Sequence, residues 1–435
     1  MSRLTSTHAT AWTFRLIAWS TVAWLLGWRG VLLLVVAAVV THGCALVLRA
    51  VRERPSQARV VLTIAVLGEL ALFAATIWPG LGRTGLPLGV GVFVCHAIAY
   101  LADVRAGTAD PRNHGASLLY LVQLPVFPAG PLSRAHEVAE QVARADISMA
   151  GFSYGVRRIV TGLTKVYLVA GPLGSVASDA FALRVTRLSV DVAWVGAVCA
   201  ALQVYYYVSG FSDVGIGLGK ILGFRYLENF RRPFTADSIR EFWRRWNVTL
   251  MTWLRDYEAL PIAGHEAPTL RGYLVTAGGF IIIGAWQGAG LAVIPWAAYS
   301  AGWLALEAIG LGAVVARAPR AVRHAYVLLV VLFGWMLLHA SGPGPLLGYV
   351  EAMLGFGVVP AGGALTLLGW GRGTALVCAI FFAGPMIGNV SRWRVSVDAA
   401  VASLIMMCAA TVVLLWVAVN PLRRLMANDP PARRR

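Results

Sequence analysis

The sequence predicts an all-α, polytopic membrane protein of about 11–12 spans with re-entrant and interfacial helices, and three observations predict it. Of its 435 residues, 58% are hydrophobic and only 13% charged, with a mean hydropathy of +0.70. That is more apolar surface than a soluble core can absorb. Apolar runs of about 20 residues, the length that crosses a bilayer, recur along almost the whole chain. The net charge of +17 comes almost wholly from arginines in short loops between those runs, the only lysines being Lys165 and Lys220. Soluble and disordered classes are excluded. Nucleic-acid binding is excluded as well, because no basic stripe with interleaved aromatics lies outside lipid.

The runs stand near residues 11–27, 31–48, 60–79, 86–104, 116–132, 155–175, 190–221, 270–286, 291–316, 322–340, 364–387 and 398–419. The first lacks a small-residue cleavage signal and is expected to stay as a span. The arginine-dense loop at Arg49, Arg52, Arg54 and Arg59, and the tail with Arg423, Arg424 and Arg433 to Arg435, are placed in the cytoplasm. Within 116–132, the stretch Phe127-Pro128-Ala129-Gly130-Pro131 cannot continue a straight helix, so this segment is expected to break or re-enter. In 190–221, Gly215 and Gly219 at GxxxG spacing predict close helix contact. The run Gly215, Gly217, Gly219, Lys220 is no phosphate loop, since it lacks the GK[ST] ending and a preceding strand. One membrane domain over 1–426 is expected, followed by a disordered cytoplasmic tail at 427–435.

The most polar stretch, Arg225 to Arg271, carries too many arginines to cross lipid yet still encodes a helix. Asp237 or Ser238 can cap its start, Glu241 completes a capping box, and Pro261 marks a stop. Ile239, Phe242, Trp243, Trp246, Leu250, Trp253, Leu254 and Tyr257 recur at helical spacing. The pattern predicts a helix in the membrane interface, with tryptophans at headgroup depth. Its arginines, among them Arg244, Arg245 and Arg255, serve topology and headgroups or grip an anionic substrate such as a CoA phosphate.

The five cysteines stand singly in apolar runs, and no Cys/His cluster supports a metal site. Asp213 and Asp256 are carboxylates in or beside lipid. Each is expected to pair with an arginine, the alternative being a proton carrier.

From Ser209 the chain reads SGFSDVGIGLGKILGFRYLENFRRPF, then SIREFWRRWNVTLMTWLRDY, ending in LPIAG at Gly264. This resembles the membrane-bound O-acyltransferase family, in the bacterial branch of alginate O-acetylation and D-alanyl teichoic acid transfer. GVGVFVCHAIAYLADVRAG from Gly89, FPAGPLSR from Phe127, GVRRIVTGLTKV from Gly155 and GAWQGAGLAVIPWAAYSAGWLALE from Gly284 agree in order. The resemblance covers residues 86–345. It implies helices around a tunnel, where a histidine takes the proton of an acceptor hydroxyl as it attacks an acyl thioester.

At the family's histidine positions this chain has Gln287, following Trp286, then Ser300 and Asn247, and an apolar position after WLRDY has become Glu258. A carboxamide has no proton to exchange, so Gln287 can orient a hydroxyl or stabilise an oxyanion without acting as a base. His96 falls where the family often has His or Gln and is a candidate tunnel residue, and His265 and His339 are candidates for a displaced base. The resemblance implies catalytic roles for Gln287, Asn247, Asp256 and Ser300. It implies substrate binding by Arg244, Arg245, Arg255, Trp286, Asp213 and His96.

No bound cofactor is called for; an acyl-CoA or another acyl thioester is the implied co-substrate. The implied partners are the bilayer of the cytoplasmic membrane, a lipophilic or glycosidic small-molecule acceptor, and an acyl-carrier or pathway protein. Two alternatives keep the scaffold: acid-initiated cyclisation of an isoprenoid-like substrate, or a catalytically inactive lipid- or acyl-binding relative.

Overall fold

The computed structural model describes residues 32–77, 87–123, 126, 130–143, 147–259, 270–286, 292–339, 343–356 and 362–383. The described residues are mostly helical and carry no strand. Six of their helices are long and apolar enough to cross a membrane: Leu32–Ala50, Pro55–Ala75, Met149–Ala182, Val190–Ile221, Val293–Ala316 and Arg320–His339. The expected runs at 86–104, 270–286 and 364–387 are helical too, as Pro87–Ala106, Leu270–Trp286 and Ala364–Ala383. The last is kinked at Gly369, where φ is 56°. The expected spans at 11–27 and 398–419 and the tail lie outside the described residues.

The run at 116–132 is not one helix. It holds the short helix His114–Leu121, and the chain then continues without regular structure from Gly130 to Arg134. Pro125, Pro128 and Pro131 remove three backbone donors that a helix would need.

The helices Met149–Ala182 and Val190–Ile221 meet backbone to backbone. A Cβ on Gly155 would come within 2.5 Å of the Gly217 carbonyl oxygen, and one on Gly162 within 2.4 Å of that of Gly210. In lipid such contact rests on van der Waals packing, which small residues permit. The close approach therefore uses Gly210 and Gly217. A Cβ on Gly219 would strike the ring of Tyr226 at 2.2 Å instead of a neighbouring helix.

Asp213 sits at the same interface. Its Oδ1 accepts from Arg158 at 2.7 Å and its Oδ2 from Lys165 at 2.7 Å, while Arg158 also pairs with Glu228. Both carboxylate oxygens are thus paired with the neighbouring helix, as expected of an ion pair rather than of the alternative, a proton carrier.

The helix expected from Ser238 onward starts as predicted. The Ser238 side chain accepts from the Glu241 N–H at 3.1 Å, although Glu241 returns its bond to the Asp237 N–H, at 2.8 Å, instead of to Ser238. It does not run through to Tyr257. Ile239–Arg245 ends at Trp246, Asn247 takes φ 41°, and a second helix Val248–Trp253 continues as the π-turn Leu254–Ala259. Asparagine tolerates that left-handed conformation better than most residues.

The tryptophans expected at headgroup depth are inside the protein. Trp243, Trp246 and Trp253 are 8%, 2% and 6% exposed. Trp243 packs on Phe280 with centroids 4.6 Å apart, Trp246 on Trp335 at 4.9 Å, and Trp296 on Trp335 at 5.6 Å. Offset and edge-on pairs of this kind contribute about 0.5–1.5 kcal/mol each beyond area burial. They join the helix Ile239–Arg245 and the Trp246 that ends it to the helices that carry Phe280 and Trp335.

Candidate functional site

The five residues Gly130 to Arg134 are the hub of a buried polar centre. The Leu132 N–H donates to Thr249 Oγ1 at 2.9 Å, and Thr249 Oγ1 donates to Asn229 Oδ1 at 2.7 Å. The Ser133 N–H points at His96 Nε2 at 3.4 Å, and Tyr120 donates to the Ser133 carbonyl at 3.0 Å. Ser133 Oγ and the Tyr226 hydroxyl both donate to Gln123 Oε1 at 3.1 Å. Beyond the Gly130 N–H, which bonds the Val126 carbonyl at 2.9 Å, the segment is held through side chains, as buried non-helical backbone requires.

His96 is fully buried on the helix Pro87–Ala106 and packs on Tyr120 at 4.9 Å between centroids. Because an amide N–H is directed at Nε2, the neutral ring carries its proton on Nδ1. In that tautomer His96 offers its Nδ1–H as a donor. Its Nδ1, Gln123 Nε2 and Asn229 Nδ2 are buried with no partner among the described residues. Each can donate to a carbonyl or hydroxyl oxygen.

One end of the segment is electrostatically clamped. Arg134 pairs with Asp256, which Arg255 also holds at 2.8 Å. The Arg134 guanidinium lies 5.7 Å from the centre of the Tyr257 ring, and Tyr257 donates to Asp103 at 2.9 Å. Burial pushes the Asp256 carboxyl up, but hydrogen bonds from Arg255 and Arg134, together with their charges, outweigh it and hold it below its ordinary range.

Asn247 is 5% exposed, and its carboxamide makes no capping bond to the helix that follows it. Ser300 lines a cavity of about 20 Å³ with Trp243, Trp296, Trp303 and Trp335, whose indole N–H is also without a partner. Arg245 pairs with Glu241 and donates to Thr235 at 2.6 Å, and Arg244 is exposed. His339 directs Nδ1 at the Trp335 carbonyl, 3.0 Å away, and Nε2 at Gln203, 3.2 Å away.

Gln287, His265 and the side chains of Trp286 and Glu258 lie outside the described residues. Gly284 packs against the aromatic cluster, since a Cβ there would come within 2.0 Å of Val293 and 3.4 Å of Trp296. His96 and Asp256 are drawn to the Gly130–Arg134 segment, whereas Ser300 stands in the aromatic cluster.

Sequence reasoning missed Gln123, Ser133, Tyr226, Asn229 and Thr249. The available signal was polar side chains beside a proline-broken apolar run, which in lipid are costly unless partnered.

A family profile described as MBOAT, membrane-bound O-acyltransferase family, matches residues 116–342. The chain is 35% identical over 298 residues to a probable alginate O-acetylase of Pseudomonas fluorescens, covering 67% of this chain and 59% of the relative. It is 28% identical over 239 residues to a peptidoglycan O-acetyltransferase of Helicobacter pylori, with 48% and 45% covered. It is 22% identical over 263 residues to a teichoic acid D-alanyltransferase of Bacillus subtilis, with 55% and 65% covered. The chain thus spans less than two thirds of the length of these relatives.

Proposed function

The chain belongs to the membrane-bound O-acyltransferase family, and from that premise we propose that it transfers an acyl group from a thioester to a hydroxyl of a lipophilic or glycosidic acceptor at the cytoplasmic membrane. The observation that carries this reading is the family match over 116–342, which takes in Ser133, Asn229, Asn247, Thr249 and Asp256. The acceptor oxygen bonds to the acyl carbon, the carbon–sulfur bond breaks, and the hydroxyl proton ends on the leaving thiol.

Gln287 and Asn247 orient the hydroxyl and donate to the oxyanion. Neither can hold the proton. Absence of a general base slows transfer by about 10²- to 10⁴-fold, so the reaction leans on positioning. Exposed Arg244 is available to a CoA phosphate or an acidic acyl-carrier protein. Acid-initiated cyclisation is disfavoured, because Asp256 is kept ionised by Arg134 and Arg255.

The test is acyl transfer by membranes carrying the wild type, Gln287→Ala or Gln287→His, with a panel of acyl-CoAs and glycosidic or lipophilic alcohols. The wild type should exceed Gln287→Ala, and Gln287→His should gain rate. Equal, background-level transfer by wild type and Gln287→Ala would sink the reading.

A further inference from the structure

Away from the polar centre, a cavity of about 420 Å³ opens between Val190–Ile221, Arg320–His339 and Ala364–Ala383. That is within the roughly 300–1,000 Å³ of small-molecule pockets. Its walls are apolar, with Val198, Leu202, Leu328, Leu332 and Ile380 among them. Of the lining residues, Leu328, Leu329 and Ile380 are 39%, 44% and 56% exposed, so the cavity opens on the surface between these helices. A cavity with such walls gives water no partners. At membrane depth the surrounding medium is hydrocarbon.

One end is polar. Phe234 and Thr235 close it, and His324 bonds the Ala236 carbonyl at 3.3 Å. Thr235 Oγ1 accepts from Arg245 at 2.6 Å, and Arg323 and Arg320 reach Asp237 at 3.2 and 3.9 Å. Arg232 is exposed on the same turn. Arg232, Arg245, Arg320 and Arg323 outnumber the acids here, Asp237, Glu241 and Glu307, so this end carries a positive surplus. From His324 to Leu332 the cavity follows about 12 Å of helix at 1.5 Å per residue.

We propose that this cavity holds an acyl chain of an anionic phospholipid drawn sideways from the bilayer, with its phosphate at the Thr235–His324 end. An apolar slot along the chain direction and a basic end at the headgroup side match an amphiphile of that charge.

The full chain, purified in detergent, is exposed to phosphatidylglycerol or phosphatidylcholine of one chain length, each carrying a photoactivatable diazirine in its tail. Labelling is mapped by peptide mass spectrometry. Phosphatidylglycerol should label residues 194–202 and 324–332 several-fold more than phosphatidylcholine. Leu328→Trp, at a half-exposed site that tolerates bulk, should cut this at least tenfold, and Arg320→Glu should erase the headgroup preference. Equal labelling by both lipids, or labelling confined to other segments, overturns the proposal. So does efficient disulfide formation between Leu329→Cys and the native Cys408, because the chain's own segment would then occupy the slot.

Discussion

Glu307 caps a helix to which it does not belong: its Oε1 accepts the backbone N–H of Ile239 at 2.6 Å, and its Oε2 that of Arg240 at 2.9 Å. Tyr326 adds a third bond to Oε1 at 3.2 Å. The first turn of any helix leaves N–H groups unpaired, and a carboxylate satisfies them while opposing the positive end of the dipole. A span thereby fixes the start of the helix that leads into Asn247.

Glu307→Ala should therefore leave buried N–H groups unpaired and cost about 1–3 kcal/mol. Glu307→Gln, which keeps an acceptor, should cost less. Thermal inactivation midpoints of the purified variants measure both, and equal losses would show that the carboxylate charge, which both variants lack, carries the effect rather than an acceptor alone.

Asp213 balances two cations at the glycine-lined interface. Asp213→Ala should destabilise by about 3–5 kcal/mol, since Arg158 and Lys165 lose their shared counter-charge. Adding Lys165→Met to Asp213→Asn should recover part of the loss, read as detergent-stable yield on size-exclusion chromatography.

Gly155→Leu or Gly217→Leu should abolish folded protein, because the new Cβ would meet backbone oxygen at 2.5 or 2.6 Å. Gly302→Ala should be neutral or stabilising by up to about 1 kcal/mol, because nothing lies within 4 Å of its Cβ position. Expression and melting temperature separate the two outcomes.

Thr249→Val removes the hydroxyl's bonds to Leu132 and Asn229 while keeping volume and the backbone N–H bond to Asn229. Amide hydrogen exchange over residues 130–134 should accelerate, by the equivalent of about 1–3 kcal/mol. Protection unchanged from the wild type would mean that Thr249 does not anchor the segment.

The Asp256 carboxyl lies below its ordinary value of 3.8 in the folded protein: burial raises it, but Arg255 and Arg134 together lower it further. With the lower pKa in the folded state, its stabilisation is complete above the unfolded pKa and is lost as pH falls through the folded value. Stability should drop below about pH 4 in the wild type, and the part due to this carboxyl should vanish in Asp256→Asn. Parallel pH–stability curves for the two proteins would refute the assignment.

Local chemistry was readable residue by residue. Ser238 and Glu241 announce a helix start because capping involves atoms within one turn. The three prolines after Leu121 announce the end of a helix for the same reason. The break at Asn247 was not readable, since helical spacing of Trp243, Trp246 and Leu250 persists across it. The face on which those tryptophans lie was also clear, but not whether it would meet headgroups or Phe280, Trp296 and Trp335.

By itself the sequence determined that the chain is helical and built for lipid, because hydrocarbon forces each spanning segment to satisfy its own backbone bonds. Its ordered motifs determined the family. Only the tertiary structure decided that Ser133 would join His96, Gln123 and Tyr120, that Glu307 would cap Ile239, and that Asp213 would close a helix pair. Those outcomes depend on bonds between residues from 10 to 68 positions apart, and no window of one helical turn contains both partners.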